Sequence, residues 1–513
     1  MWSKKSLATC ALVATIALAP AACSSSDPAA DSASPTPVRG GQLVVAQPVD
    51  AQPGVILAIR AGNLTWAPSV FETLVLMDPS TLTPEPLLAS SWEVAADGMS
   101  VRLHLQPDVT FHTGRPMTAE DVKFSLEKAA DPEMAAQVGF IARSFESITV
   151  VDEATLDIVF TTPLGSSLFD LLSQVYILDA ETFAGLADGS QIIGTGPYEF
   201  AGWTPGSSIT LTRYADYRDA DVGHLDGIEF EVITDPTAMV SALRSGRAQI
   251  GANLSATDIS SLLAGPGYTS LTSGGGIPVL GLNVTVPPFD NPEVRQAIGY
   301  AIDRERILDQ ALGDGAISTD LFWSPSTPGY TPELANHFTY DSDKAKQLID
   351  AAGATGAVVP ISYPALPTQT AVYEIVQNNL EAVGLEPQSV ALSVAEFDQK
   401  QTNGELGAAF VLGHGQVGLS AATMLDSLPS LREGNPSGFW NDEYERLRDD
   451  LRAARDEAET ASAVEALSTY LLEQAFTLPF GQTPNIMVVS DAVSGVTARP
   501  TGGLLFGGAS LVG

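Results

Sequence analysis

Period-two and helical apolar patterns interleave along this chain without settling into strand–helix–strand alternation, and that irregular order most restricts its fold. A doubly wound parallel sheet requires the alternation; its absence points to an α/β class with mixed sheets. Strand-like runs fall at 41–46, 100–105, 209–212, 228–233, 248–250 and 408–412. The helices carry their own boundary signals. Thr118 precedes a helix running to 130, with Asp121 three residues on and Val122, Leu126 and Ala129 on one face. Asp235-Pro236 opens another, carrying Met239, Val240 and Leu243 toward Gly246. Asn291-Pro292-Glu293 opens a third, in which Val294, Ala297, Ile298, Ala301 and Ile302 align before Gly313 stops it. A long helical region is predicted over 442–476, acidic and arginine-rich on its outer positions. With 513 residues of which 45% are hydrophobic, the chain can bury a core large enough for two or three domains.

The first residues read as an export signal: Lys4 and Lys5, an apolar stretch over 7–19, then Pro20-Ala21-Ala22-Cys23. The stretch is shorter than the about 20 apolar residues a bilayer span needs, and no later run reaches that length. Ala21-Ala22 before Cys23 resembles a bacterial lipobox, although Pro20 stands where Leu is usual. Residues 1–22 are therefore expected to be removed and Cys23 to be lipidated. The Ser/Ala/Pro-rich stretch over 23–38 is too poor in apolar residues to pack and reads as a flexible leash to the membrane. Cys10 belongs to the signal, which leaves Cys23 as the one cysteine of the mature chain, so neither an intrachain disulfide nor a cysteine-based metal cluster can form.

The formal charge of −36 repels nucleic acid and anionic lipid headgroups, so neither is expected as a partner. The five histidines form no HExxH-like pair, and no G-x-S-x-G elbow occurs, so neither a zinc site nor a hydrolase is supported. Gly413-His414-Gly415-Gln416-Val417-Gly418 fits G-x-G-x-x-G, yet no Rossmann half surrounds it; a loop lining a cleft is the stronger reading. No cofactor is expected.

Three ordered blocks carry a wider resemblance. The first runs from Pro86-Leu87-Leu88-Ala89-Ser90-Ser91-Trp92-Glu93 through Val109-Thr110-Phe111-His112-Thr113-Gly114-Arg115-Pro116-Met117 into the helix after Thr118. The second is Gly194-Thr195-Gly196-Pro197-Tyr198 with Ala215-Asp216-Tyr217; the third is Gly281-Leu282-Asn283 with Asn291-Pro292-Glu293-Val294-Arg295 and Ala301-Ile302-Asp303-Arg304. Together they resemble the extracytoplasmic solute-binding proteins of family 5, the oligopeptide-, dipeptide- and nickel-binding type of ABC importers. The resemblance implies a two-lobed periplasmic-binding-protein fold with an inserted extra domain (cluster C type), no enzymatic activity, a monomer, and a permease as partner. It implies a discontinuous first domain over 39–78, 193–280 and 482–513, an insertion over 79–192, and a closing lobe over 281–481.

The cleft is where this chain departs from the peptide binders. The resemblance places a buried aspartate for a peptide's amine after the strand at 408–412, but 407–425 contains neither Asp nor Glu. Dipeptide binders also hold the carboxylate with an arginine before a long helix of the closing lobe, and no arginine occurs between Arg306 and Arg432. Buried charge without a partner is unfavourable, so a zwitterionic peptide is a poor cargo. The candidate ligand contacts are Gln47, Gln52, Asn283, Tyr363, His414, Gly415, Gln416 and Trp440, with Phe322 and Trp323 as aromatic surfaces. Asp50 either meets a cationic group or caps the turn after the first strand. The expected cargo is a neutral or singly charged, partly apolar or aromatic, amide-like molecule, held by stacking and amide hydrogen bonds.

Overall fold

The protein is described by a computed structural model over residues 37–512, apart from Ile59, Asp314 and Gln416. Cys23 and the segments expected as signal and leash lie outside the described residues, as does Gln416.

The first strand is Gln42–Gln47, whose Leu43, Val45 and Ala46 are fully buried. It lies parallel to Gly227–Val232 on one side and to Ile250–Gly251 on the other, and Ser208–Arg213 and Tyr198–Thr204 extend the sheet as an antiparallel edge. Beyond Ile250–Gly251 come Thr483–Ser490 and then the fifteen-residue strand Tyr268–Leu282, both antiparallel to their neighbours. A second sheet centres on Val358–Pro364, parallel to Glu386–Leu392 and to Ala409–His414. The far half of Tyr268–Leu282 pairs with Ala409–His414 and Thr477–Pro479, so the two sheets share one strand and form an eleven-stranded network. Parallel and antiparallel pairs mix within it, as the irregular order of elements requires.

A separate four-stranded antiparallel sheet, ordered Ala89–Val94, Ser100–Leu105, Thr155–Phe160, Phe145–Asp152, packs against the helix Ala119–Ala130. That helix is fixed at its start by a capping box in which Thr118 and Asp121 each satisfy the other's backbone N–H. One apolar core occupies residues 277–480, and another joins 43–252 to 487–509.

Two expected helices are broken. The one opened by Asn291 covers Pro292–Ala301 and stops at Ile302, which is extended; Asp303 then starts Arg304–Ile307 by accepting a hydrogen bond from the Arg306 N–H. The region predicted over 442–476 forms Asp442–Arg452 and Glu457–Gln474, with Asp456 accepting from the Glu459 N–H at the second start. In both cases an aspartate inside an unbroken apolar period offers the backbone a cap, and a new helix begins there.

Candidate functional site

The two halves of the molecule meet where the chain crosses between sheets twice, at 273–277 and at 479–483. Along Tyr268–Leu282 the register against Thr483–Ser490 slips between Ser273 and Gly276. Gly275 has φ +139, a conformation rarely open to residues with a Cβ, and any Cβ there would strike the Thr483 carbonyl. Gly274, beside it, has φ +59. The crossing is thus a thin, two-stranded connection whose backbone only glycine can follow.

Cavities flank this connection on both sides. On the first-lobe side a cavity of about 390 Å³ lies among Leu64, Thr65, Asn253, Ser273, Asn485 and the tip Gly502–Gly503. On the other side one of about 210 Å³ lies among Gly276, Thr368, Gln369, Gly413, His414 and Thr483. Leu312 borders both. Among the described residues neither lining contains an aspartate, glutamate, lysine or arginine. The polar groups are hydroxyls and amides, and His414 joins them as a neutral imidazole: burial pushes its pKa down to about 4. The exposed carboxamides of Asn253 and Asn485 have no hydrogen-bond partner among the described residues, and Asn253 stands at φ +57, in the left-handed region.

Of the residues expected as ligand contacts, His414 lines the smaller cavity, its Nε2 2.8 Å from Ser430 Oγ, with the Phe322 ring centred 6.3 Å away. Gly415 is exposed and follows it directly. Gln47 is buried behind the larger cavity, where its carbonyl oxygen accepts from Thr65 and its amide donates to the Val49 carbonyl. The others line neither cavity. Asp50 accepts from the Ala51 N–H and, from the hairpin between Tyr198–Thr204 and Ser208–Arg213, from Trp203 Nε1 at 2.9 Å and the Gly206 N–H at 2.6 Å. Gln52 is exposed, and its backbone is clamped by Asn63. Asn283 accepts from Thr285 and donates to the Gly407 carbonyl. Trp323 is fully buried and donates to Ser468 Oγ at 2.7 Å; Tyr363 stacks on Tyr373 with centroids 4.6 Å apart; Trp440 lies under the Arg448 guanidinium at 4.8 Å. Sequence reasoning missed Thr65, Asn253, Ser273, Asn485 and Gln369. The run Gly274-Gly275-Gly276 inside an apolar, β-prone stretch was the available signal for the crossing that gathers them.

A different contact closes the far side. Asp170, on the helix Ser167–Gln174 of the insertion, accepts from the Ser420 N–H at 3.0 Å and from Ser420 Oγ at 2.6 Å. Ser420 in turn caps the helix Ala421–Ser427. Burial pushes the Asp170 pKa up to about 6. Nearby, Arg452 pairs with Asp426 at 2.5 Å and with Asp449 at 2.8 Å beside a cavity of about 500 Å³ that Phe140, Thr162 and Leu164 border from the insertion.

Among the described residues no group of three or more metal-ligating side chains occurs, and no helix is long and apolar enough to cross a membrane. The family model described as bacterial extracellular solute-binding proteins, family 5 Middle, matches residues 83–435. Heme-binding protein A of Haemophilus influenzae is 25% identical over 501 residues, 91% of this chain and 91% of that protein. Among solved structures, PBP AgaA from A. tumefaciens R10 in complex with agropinic acid is 27% identical with a TM-score of 0.72, covering 92% of this chain and 99% of that one. HbpA2 from Haemophilus parasuis is similar in fold, at 24% identity and a TM-score of 0.81 over 92% of this chain and 100% of its own.

Proposed function

This chain belongs to the bacterial extracellular solute-binding proteins, family 5, and from that premise we propose that its groove takes a small organic solute bearing at most one charge. The protein is an extracytoplasmic binding protein of the ABC-importer type and not an enzyme. The observation that carries the cargo reading is the lining on either side of the crossing, which offers amides, hydroxyls and a neutral imidazole but, among the described residues, no ionised side chain. A zwitterionic peptide would bring an ammonium into that lining, which would lose its hydration without gaining a carboxylate among the described lining residues. The larger cavity, at about 390 Å³, falls within the range of small-molecule sites. Non-peptide cargo has precedent in the two named relatives, one called heme-binding and the other solved with agropinic acid.

The thin crossing at Gly274–Gly275 supports delivery by hinge bending. A solute that touches both lobes favours the closed arrangement, which a permease can distinguish from the open one. The division into 39–78 with 193–280 and 482–513, an insertion over 79–192 and a closing lobe over 281–481 is part of the same reading; the separate apolar core over 277–480 supports the closing lobe, while the first domain and the insertion share one core. So is the membrane tether at Cys23, which rests on the lipobox-like Ala21-Ala22-Cys23 and the leash that follows. The protein works as a monomer with its permease.

Native mass spectrometry of the purified protein, followed by calorimetric titration with free dipeptides and with small aromatic amides, tests the cargo. A retained solute with no or one ionisable group is expected; tight binding of free dipeptides overturns the reading.

A further inference from the structure

Among the described residues four arginines are buried, and three of them have an anionic or carbonyl partner for part of the guanidinium, although Arg448 Nε, like that of Arg499, has none. Arg304 pairs with Asp320 at 2.7 Å, Arg448 with Asp426 at 2.6 Å, and Arg295 donates to the carbonyls of Phe289 and Gln474. Arg499 is the exception. It is 7% exposed, its Nε has no partner, and no carboxylate lies within ion-pairing distance of its guanidinium among the described residues. The group instead lies over the face of Tyr176, 5.2 Å from the ring centroid. A ring face compensates a buried cation far less completely than an anion with two acceptor oxygens does.

The position of Arg499 gives that vacant fork a meaning. It leaves the hairpin strand Thr497–Ala498, which pairs with Leu504–Leu505, and the hairpin tip Gly502–Gly503 walls the larger cavity. The backbone at Arg499 is held on three sides: its N–H donates to the Gly503 carbonyl, and its carbonyl accepts from the Gly502 N–H and from Ser273 Oγ at 2.7 Å. Its stem runs beside Gly503, whose φ of +105 keeps the tip free of a side chain there. The same tip touches the insertion through the hydrogen bond from Gln174 to Thr501, and Pro500 abuts Gly418 of the closing lobe. Arg499 therefore sits where all three parts of the molecule converge, in the hairpin behind the cavity wall; among the described residues that wall carries no charged side chain, and Arg499 is not itself part of it.

We propose that Arg499 receives the single acid group of the cargo, a carboxylate or chemically similar anion, while the uncharged body of the solute occupies the groove. This deepens the solute-binding reading and rests on it. The arrangement also explains why a costly unpaired cation is kept: the partner it lacks arrives with the ligand.

The test compares wild type, Arg499→Met and Arg499→Lys as full chains. Retained solute is identified by native mass spectrometry and its acid groups are counted by esterification; affinity for that solute is then measured after stripping, alongside thermal unfolding of the stripped proteins. Expected are a mono-acid solute, binding weakened about tenfold to a hundredfold in R499M with partial recovery in R499K, and a stripped R499M that unfolds at the same temperature as wild type or higher. Unchanged affinity in R499M, a solute without an acid group, or a stripped R499M that unfolds at a lower temperature would each overturn the proposal while leaving solute binding intact. A wild type that neither retains nor rebinds any solute overturns the parent reading and this one with it.

Discussion

The groove beside the crossing and the seam between insertion and closing lobe are both interfaces between parts of one chain, but they treat polar atoms in opposite ways. At the seam, Asp170 is matched across to Ser420, while Arg452 pairs beside it with Asp426 and Asp449 of its own part of the chain. Among the described residues of the groove the amides of Asn253 and Asn485 are without partners and no side chain is ionised. An interface that satisfies itself holds two bodies together; one that leaves donors and acceptors free holds them apart until a guest supplies the complement. On the proposed reading, the difference separates the part of the molecule that would set the geometry of closure from the part that would choose what is enclosed.

The most severe way to break that division is at the crossing both regions depend on. Gly275→Val places a branched side chain at φ +139 and against the Thr483 carbonyl, and should lower stability by about 3 kcal/mol or more in denaturant unfolding. Asp170→Ala leaves the Ser420 N–H without its partner and the Ser420 hydroxyl with Thr423 alone. It should disfavour closure by about 1–3 kcal/mol, read as weaker solute affinity with the groove itself untouched. Asn485→Ala should do the reverse, weakening affinity by about 1 kcal/mol with no change in the unfolding midpoint, because its exposed amide bonds nothing in the protein.

The smallest effect is a pH dependence in which the two regions oppose each other. His414 has its pKa lowered in the folded state to about 4, so its contribution is present above the usual imidazole range and is lost as pH falls through about 4. Asp170 has its pKa raised to about 6, so its contribution is present at pH below the ordinary carboxylate value and is lost as pH rises through about 6. Between pH 4 and 6 these two contributions therefore oppose each other. Asp170→Asn should unmask a rise with pH and His414→Gln a fall, both measurable as shifts in unfolding temperature.

Much of the scaffold was legible because its signals are local. Thr118 with Asp121, Asp235-Pro236 and Asn291-Pro292 each mark a helix start that the structure contains. Asp303 and Asp456 escaped notice because an aspartate in the middle of an apolar period reads equally well as a solvent-facing helix residue; only the tertiary packing decides that the chain turns there. The groove was harder still. Its lining comes from positions as distant as Leu64, Asn253, Asn485 and Gly502, joined by a strand that changes partners halfway. What the sequence did expose was a chemical absence, the missing acid in 407–425 and the missing arginine between Arg306 and Arg432, and the lining is uncharged in keeping with it. Trp323 and Tyr363, chosen for their aromatic rings, are buried against other protein groups instead, since a large ring serves a core as readily as a ligand.

The placement of Thr483–Ser490 between Ile250–Gly251 and Tyr268–Leu282 bears on how the molecule is made. During vectorial synthesis, residues 277–480 can assemble their core from a continuous stretch of chain, whereas the first lobe, begun some two hundred residues earlier, waits with an open slot for a strand near the C-terminus. The hairpin carrying Arg499 emerges later still. A chain interrupted before residue 483 would thus hold the core of 277–480 without the strand that lies between Ile250–Gly251 and Tyr268–Leu282.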